Sequence, residues 1–222
     1  MFYPEDLPSK DRLKFYSGSF RTTEINYSFY RLPRPTTFQN WYKQTPDQFL
    51  FAVKASRFIT HIKRLKGVKS AWKKFFDNAV YLKEKLGPIL FQFPPNFKID
   101  LRRLESFLKI LKSGYRYAFE FRHESWLDDA VYELLRKYNI AWVIADSPRY
   151  PKAEVITADF AYIRMHGSTQ LFASKYSDDE LKDLTGKIKK WSKKLKAVYV
   201  YFNNDFNGHA VLNVCTLIDS LF

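Results

Sequence analysis

The sequence predicts an α/β protein of the TIM type, a (β/α) barrel, on three observations. Seven apolar strand-like runs alternate with segments of helical period, the rhythm of a parallel sheet. Five runs end in polar residues spaced by two: Glu24/Asn26, Lys54/Ser56, Glu120/Arg122, Arg164/His166 and Asn203/Asp205. That spacing puts both members of a pair on one face of a strand, and the C-terminal strand ends of parallel α/β folds form the rim where sites are built. No Gly-rich phosphate turn follows the first strand, as a doubly wound dinucleotide-binding sheet would require.

Taken in order, Leu7 to Phe15 reads as a short helix and Phe20 to Tyr27 as the first strand. Phe38, Trp41 and Tyr42 give Thr36 to Gln44 an apolar helical stripe, and Phe49 to Ala55 is the next strand. Ser70 to Leu86 reads as one long amphipathic helix ended by Gly87-Pro88. Ile89 to Phe93 is an apolar strand stopped by Pro94-Pro95; Asp100 caps a helix through Leu111, which Gly114 closes. Tyr115 to Phe121 is followed by a helix from Trp126 to Tyr138 with Ser125 as its cap. Ala141 to Ala145 is a buried-type strand ending at Asp146, and the Pro-rich loop Ser147 to Lys152 crosses to a short strand around Val155. Phe160 to Met165, a helix from Ser177 to Lys196, the strand Ala197 to Phe202 and a last helix after Gly208 complete the chain.

No linker or repeat interrupts this order, so residues 1–222 are expected to form a single barrel domain. An eighth strand is missing, and the chain is shorter than the ~250 residues usual for the fold. A hydrophobic fraction of 46% with 18% aromatics supports a large core. The opening segment has no apolar signal region and no run is long enough to span a membrane, which points to a cytoplasmic protein. The single cysteine, Cys215, excludes an internal disulfide, and it falls in a helix of core type. The net charge of +14 is concentrated on two helical segments, His61 to Lys74 and Lys187 to Lys196. A basic outer face of this kind is either plain solvated surface or a means of attracting nucleic acid.

The motifs Phe2-Tyr-Pro-Glu5, Glu24-Ile-Asn-Tyr-Ser-Phe-Tyr30, Phe51-Ala-Val-Lys-Ala-Ser56 with Thr60-His61, Leu90-Phe-Gln-Phe-Pro-Pro95, Ala118-Phe-Glu-Phe-Arg-His123 with Ser125-Trp126, Tyr162-Ile-Arg-Met-His-Gly167 and Tyr199-Val-Tyr-Phe-Asn-Asn-Asp205 run through the whole chain. In this set the sequence resembles the YecE-like family, domain of unknown function 72. The resemblance implies a TIM-barrel fold and no settled activity. Members of that family usually begin with a Gly-Thr-Ser-Gly-Trp strand before the Phe-Tyr-Pro motif, whereas this sequence opens at Met1-Phe-Tyr-Pro, so the resemblance implies a (β/α) barrel lacking its first strand.

The rim residues carry nearly balanced charge: Lys54, Arg122 and Arg164 against Glu24, Glu120, Asp146 and Asp205. Such a mouth suits a small anionic or phosphorylated ligand gripped by arginines. Glu120, His166 and Asp146 are the candidates for acid/base work. Lys54, Arg122, Arg164, Asn203, Asp205, Glu24 and Asn26 are the candidates for ligand binding. Histidines at 61, 123, 166 and 209 each follow a strand, but no His-x-His or His-Glu-x-x-His pattern marks a metal site. No Gly-x-Ser-x-Gly elbow marks a nucleophile. The alternative function is nucleic-acid binding or metal-dependent phosphodiester hydrolysis through the basic helices. Cofactor and oligomeric state are left undefined by the sequence.

Overall fold

The computed structural model describes residues 2–222 and contains seven strands in one sheet, in the sequence order β1-β2-β3-β4-β5-β6-β7. With helices between the strands, this is the α/β topology of the TIM type. The chain divides into two compact units, one over residues 3–118 and one over residues 119–222.

In the first unit, α1 (Arg12–Ser19) precedes β1 (Thr22–Ile25), and the chain then coils into the single turn α2 (Tyr27–Tyr30). The first helix therefore starts later and runs further than the sequence indicates, with turns at residues 5–6 and 9–11 before it. Next, α3 (Pro35–Gln44) has Pro35 in its first turn, where no backbone N–H is needed. Its final carbonyls are taken by Lys85, whose buried Nζ donates to the carbonyls of Tyr42 and Thr45 at 2.8 and 2.7 Å. A cation at a helix C-terminus satisfies those acceptors and opposes the dipole. β2 (Leu50–Lys54) lies parallel to β1, with Thr22 opposite Leu50 and Ile25 opposite Val53.

The long helix expected over Ser70 to Leu86 divides. α4 (Lys69–Ala79) gives way to a tight 3-10 segment over Val80–Lys85, broken at Lys83 with φ 51°. Gly87-Pro88, read as a helix stop, instead lies within β3 (Leu86–Gln92). The pairing of β2 with β3 shows why. Phe51 faces Leu86 and Val53 faces Ile89, so β3 uses one more residue than β2 over this stretch. A bulge is one of the few places a strand accepts proline. A Cβ at Gly87 would meet the Phe51 carbonyl oxygen at 3.1 Å, tighter than an alanine accommodates without a shift. Beyond β3, Asp100 caps α5 (Leu101–Leu108) by accepting from the Arg103 N–H at 3.0 Å. Trp72 fills the helix-side core, 5.5 Å from Phe91 and 6.2 Å from Phe107 between ring centroids.

β4 (Tyr117–Glu120) spans the boundary of the units and leads into the second. Ser125 does not cap the following helix. It lies in a 3-10 turn over Glu124–Trp126, and Asp128 caps α6 (Asp129–Lys137) by accepting from the Ala130 N–H at 2.8 Å. Phe121 stacks on Trp126 at 4.2 Å and on Trp142 at 5.4 Å, and Tyr132 of α6 meets Trp142 edge-on. One face of β5 (Ala141–Asp146) is thereby fixed against helix. The segment around Val155 is not a strand. It returns beside β5 through Thr157, whose Oγ1 accepts from the Trp142 N–H at 2.7 Å, and through the Ala153 carbonyl, which accepts from Trp142 Nε1. β6 (Phe160–Met165) pairs in parallel with both β5 and β7 (Ala197–Phe202). Between them α7 (Asp178–Ser192) opens with a full capping box from Ser177 and Glu180. The helix ends at Ser192 rather than Lys196, and α8 (His209–Leu221) starts behind left-handed Gly208. Among the described residues no helix is long and apolar enough to cross a membrane.

Candidate functional site

Strand parity in the second unit brings together four of the residues singled out in the sequence. Glu120 ends β4, Arg122 follows two residues later, and Arg164 and His166 occupy the same parity at the end of β6. Glu120 is fully buried. Arg122 donates through Nε to its Oε1 at 2.6 Å, and Arg164 donates through Nη1 to Oε2 at 2.5 Å. Each carboxylate oxygen therefore has its own guanidinium. Arg164, 2% exposed, also donates from Nη2 to Asn203 Oδ1 at 3.4 Å, and Asn203 is held in turn by the Tyr201 carbonyl.

Burial alone would push the Glu120 carboxyl upward, but the charges of Arg164 and Arg122, with a smaller contribution from His166, outweigh it and hold the group well below the usual carboxylate range. Glu120 is thus ionised at any ordinary pH. The triad of Glu120, Arg122 and Arg164 carries two positive charges against one negative.

His166 is 1% exposed. Burial pushes its imidazole below the usual histidine value, and the opposing pull of Glu120 does not recover the difference. The ring is therefore neutral near pH 7. Its Nε2 lies 3.9 Å from Glu120 Oε2, outside hydrogen-bonding range, and 3.4 Å from Arg164 Nη1, which can only donate. Nε2 is then the acceptor and the ring proton resides on Nδ1. That nitrogen is buried and has no hydrogen-bond partner among the described residues. A buried donor without an acceptor costs about 1–3 kcal/mol.

The turn after His166 depends on Gly167, at φ 101°, where a Cβ would collide with the Gln170 carbonyl and the Ser174 hydroxyl. The Gly167 N–H donates to the Tyr176 hydroxyl at 2.8 Å. Phe172 then presents its ring edge-on to His166, 5.4 Å between centroids.

Sequence reasoning missed Tyr150. Its ring lies 4.1 Å from the Arg122 guanidinium carbon, and Arg149 approaches the same ring at 5.9 Å. Because Arg122 reaches Glu120 through Nε, its two terminal nitrogens are left for a second, forked contact beside that ring. The available signal was an aromatic flanked by Pro148, Arg149 and Pro151 in the loop after a rim strand.

Asp146 does not join the cluster. Ile144 and Asp146 share a face of β5 with Trp142, and that face turns to the helices. Asp146 pairs there with Lys152 at 2.7 Å. Asp205 is exposed at the start of a 3-10 turn. In the first unit, Glu24 accepts from Asn26 Nδ2 at 3.2 Å, and the buried Lys54 Nζ lies 4.4 Å from the Phe29 ring. Phe29 in turn meets His61 edge-on at 4.9 Å. Cys215 is exposed on α8, not in the core, because that helix carries apolar residues on more than its packed face. On the basic α7, Lys187 is paired with Glu154 and Asp183. Among the described residues no group of three His, Cys, Asp or Glu is placed to hold a metal ion.

Comparison with known proteins agrees with the fold. The chain is 27% identical to UPF0759 protein YunF of Bacillus subtilis (strain 168), over 99% of this chain and 89% of that protein. It is 26% identical to UPF0759 protein YecE of Escherichia coli O157:H7, over 72% of this chain and 68% of that protein. The crystal structure of a DUF72 family protein (TM1631) from Thermotoga maritima MSB8 superposes with a TM-score of 0.86 at 33% identity, covering 99% of this chain and 92% of that one. A second, from Enterococcus faecalis V583 (EF0366), shares the fold with a TM-score of 0.85 at 22% identity, covering 94% of this chain and 87% of that one. The family model described as protein of unknown function DUF72 matches residues 1–222, and the chain belongs to that family.

Proposed function

We propose that the cluster at the ends of β4, β6 and β7 binds a small oxyanion, a carboxylate or phosphate, and that His166 exchanges a proton with it. The observation that carries this reading is a buried imidazole nitrogen without a partner beside a cationic triad. Among the described residues His166 Nδ1 is buried with no acceptor, and Arg122 has its forked end unused by Glu120. An oxyanion supplies acceptors to both and balances the triad. Glu120 then acts as a positioning residue: held ionised by two arginines, it fixes their forks and has no proton to give. Asn203 orients Arg164. His166, neutral near pH 7, is the group in the cluster able to take up or release a proton there.

Calorimetric titration with inorganic phosphate and with small carboxylates at fixed ionic strength tests this, in the wild type and in Arg122→Gln. Saturable binding weakened about tenfold or more by R122Q is expected, the loss of one charge-assisted contact of about 1.5–3 kcal/mol. Equal binding by both proteins overturns the site. Binding confined to oligonucleotides, unchanged in R122Q, transfers the function to the basic helices.

A further inference from the structure

Away from this cluster, the second unit contains a cavity of about 130 Å³ between α7 and the helix-facing side of β5 and β6. Ile144, Ile163, Met165 and Leu184 line its apolar part, with Trp191 at one side. A dry apolar cavity of similar size, about 150 Å³, is large enough to take benzene. The charged residues lining it are four carboxylates, Asp146, Glu154, Glu180 and Asp183, and two ammonium groups, Lys152 and Lys187. The excess is two negative charges.

These carboxylates are already spaced to hold ammonium groups. Lys152 Nζ is 2.7 Å from Asp146 and 3.9 Å from Glu154, and Lys187 Nζ is 2.7 Å from Glu154 and 2.9 Å from Asp183. The pairs thus form a chain across the lining, Asp146–Lys152–Glu154–Lys187–Asp183. Glu180 is not a link in it, though it lies near Asp146. Its Oε2 accepts from the N–H and hydroxyl of Ser177 at 2.7 and 3.0 Å as part of the helix cap. No lysine is paired with it among the described residues.

From the apolar floor and the acidic excess we propose a second small-ligand site here, for a primary amine with a short alkyl or single-ring stem. The stem occupies the floor beside Leu184 and Met165. The ammonium lies among the carboxylates, either between existing pairs or in exchange with the half-exposed Lys152. Neutral isosteres gain the floor alone, and anions are repelled. This site does not depend on the oxyanion cluster, since the two lie on opposite faces of β6: Arg164 faces one and Ile163 and Met165 the other.

The test is ligand-observed NMR on the full chain with benzylamine, benzyl alcohol and benzoate as probes. Benzylamine is expected to bind roughly tenfold more tightly than the alcohol, the gain of about one charge-assisted contact, with benzoate not competing. The double variant Glu154→Gln/Asp183→Asn removes two lining charges on exposed side chains, and should reduce benzylamine to the level of the alcohol. Leu184→Phe, which fills the floor, should abolish both. Equal binding of amine and alcohol in the wild type, benzylamine binding unchanged in L184F, or no binding by any probe each overturns the proposal. Were L184F to misfold, the charge double variant decides alone: amine binding unaltered by it refutes the site.

Discussion

Replacing Glu120 with glutamine keeps the shape of the side chain and removes the charge on which two guanidiniums converge. Arg164 is 2% exposed and cannot recover its lost partner in water. Each of the two bonds to Glu120 is charge-assisted, worth about 1.5–3 kcal/mol. Breaking a buried pair by removing one partner costs about 3–5 kcal/mol, because the other charge stays buried. For a chain of 222 residues a loss of 1 kcal/mol lowers Tm by about 2–4 °C, so Glu120→Gln should lower it by about 6–20 °C. Differential scanning fluorimetry and urea unfolding at low ionic strength measure the loss. Phosphate should then restore more stability to E120Q than to the wild type, since the variant's arginines lack their counter-charge. Adding Arg164→Met to E120Q should recover part of the loss, as it removes the buried guanidinium left without its counter-charge. A loss below about 1 kcal/mol, with no response to phosphate, would show that the two arginines are satisfied without Glu120 and refute the reasoning. Any turnover found for the protein should also disappear in E120Q.

Stability should fall with acidity in two stages. His166 has a folded value below its ordinary 6.5, so the unfolded chain takes up this proton first, and stability declines as pH drops below about 6.5. Glu120, depressed below its ordinary 4.5, contributes fully above that pH, and its contribution is lost as pH falls further towards the folded value. His166→Gln should flatten the first stage and leave the second, as read by urea midpoints across pH; an unchanged slope near pH 6 would mean that His166 is not the buried group titrating there. Tyr150→Ala removes the ring over Arg122, a cation–π contact of about 0.5–2 kcal/mol. Phosphate affinity should drop about threefold to tenfold and become more salt-sensitive, with Tyr150→Phe near wild type. Equal affinities in calorimetry would show that the ring only covers Arg122.

Elements with strong local signals were legible before any fold was known. Phe160–Met165 and Ala197–Phe202 are apolar and aromatic runs bounded by polar segments, and both strands fall on those residues. The helix expected to begin at Ser177 does so, and the structure adds a capping box with Glu180, a local hydrogen-bonding device. The pairs Glu120/Arg122 and Arg164/His166 were legible because a spacing of two fixes a shared face whatever surrounds the strand. Tertiary structure decided what that period leaves open. Alternation says which residues share a face but not which face meets helix, so only α7 and Trp142 show that Asp146 turns away from Glu120. Gly87-Pro88 reads locally as a stop, and the extra residue of β3 opposite β2 makes it a bulge. Ser125 and Asp128 are both capable caps, and the Phe121–Trp126 stack sits where a 3-10 turn ends before Asp128 caps α6. Tyr150 reaches Arg122 from a loop whose path has no period to read. Local chemistry sets hydrogen bonds a few residues long, whereas the choice among faces, caps and loop paths depends on groups distant in sequence that only packing brings together.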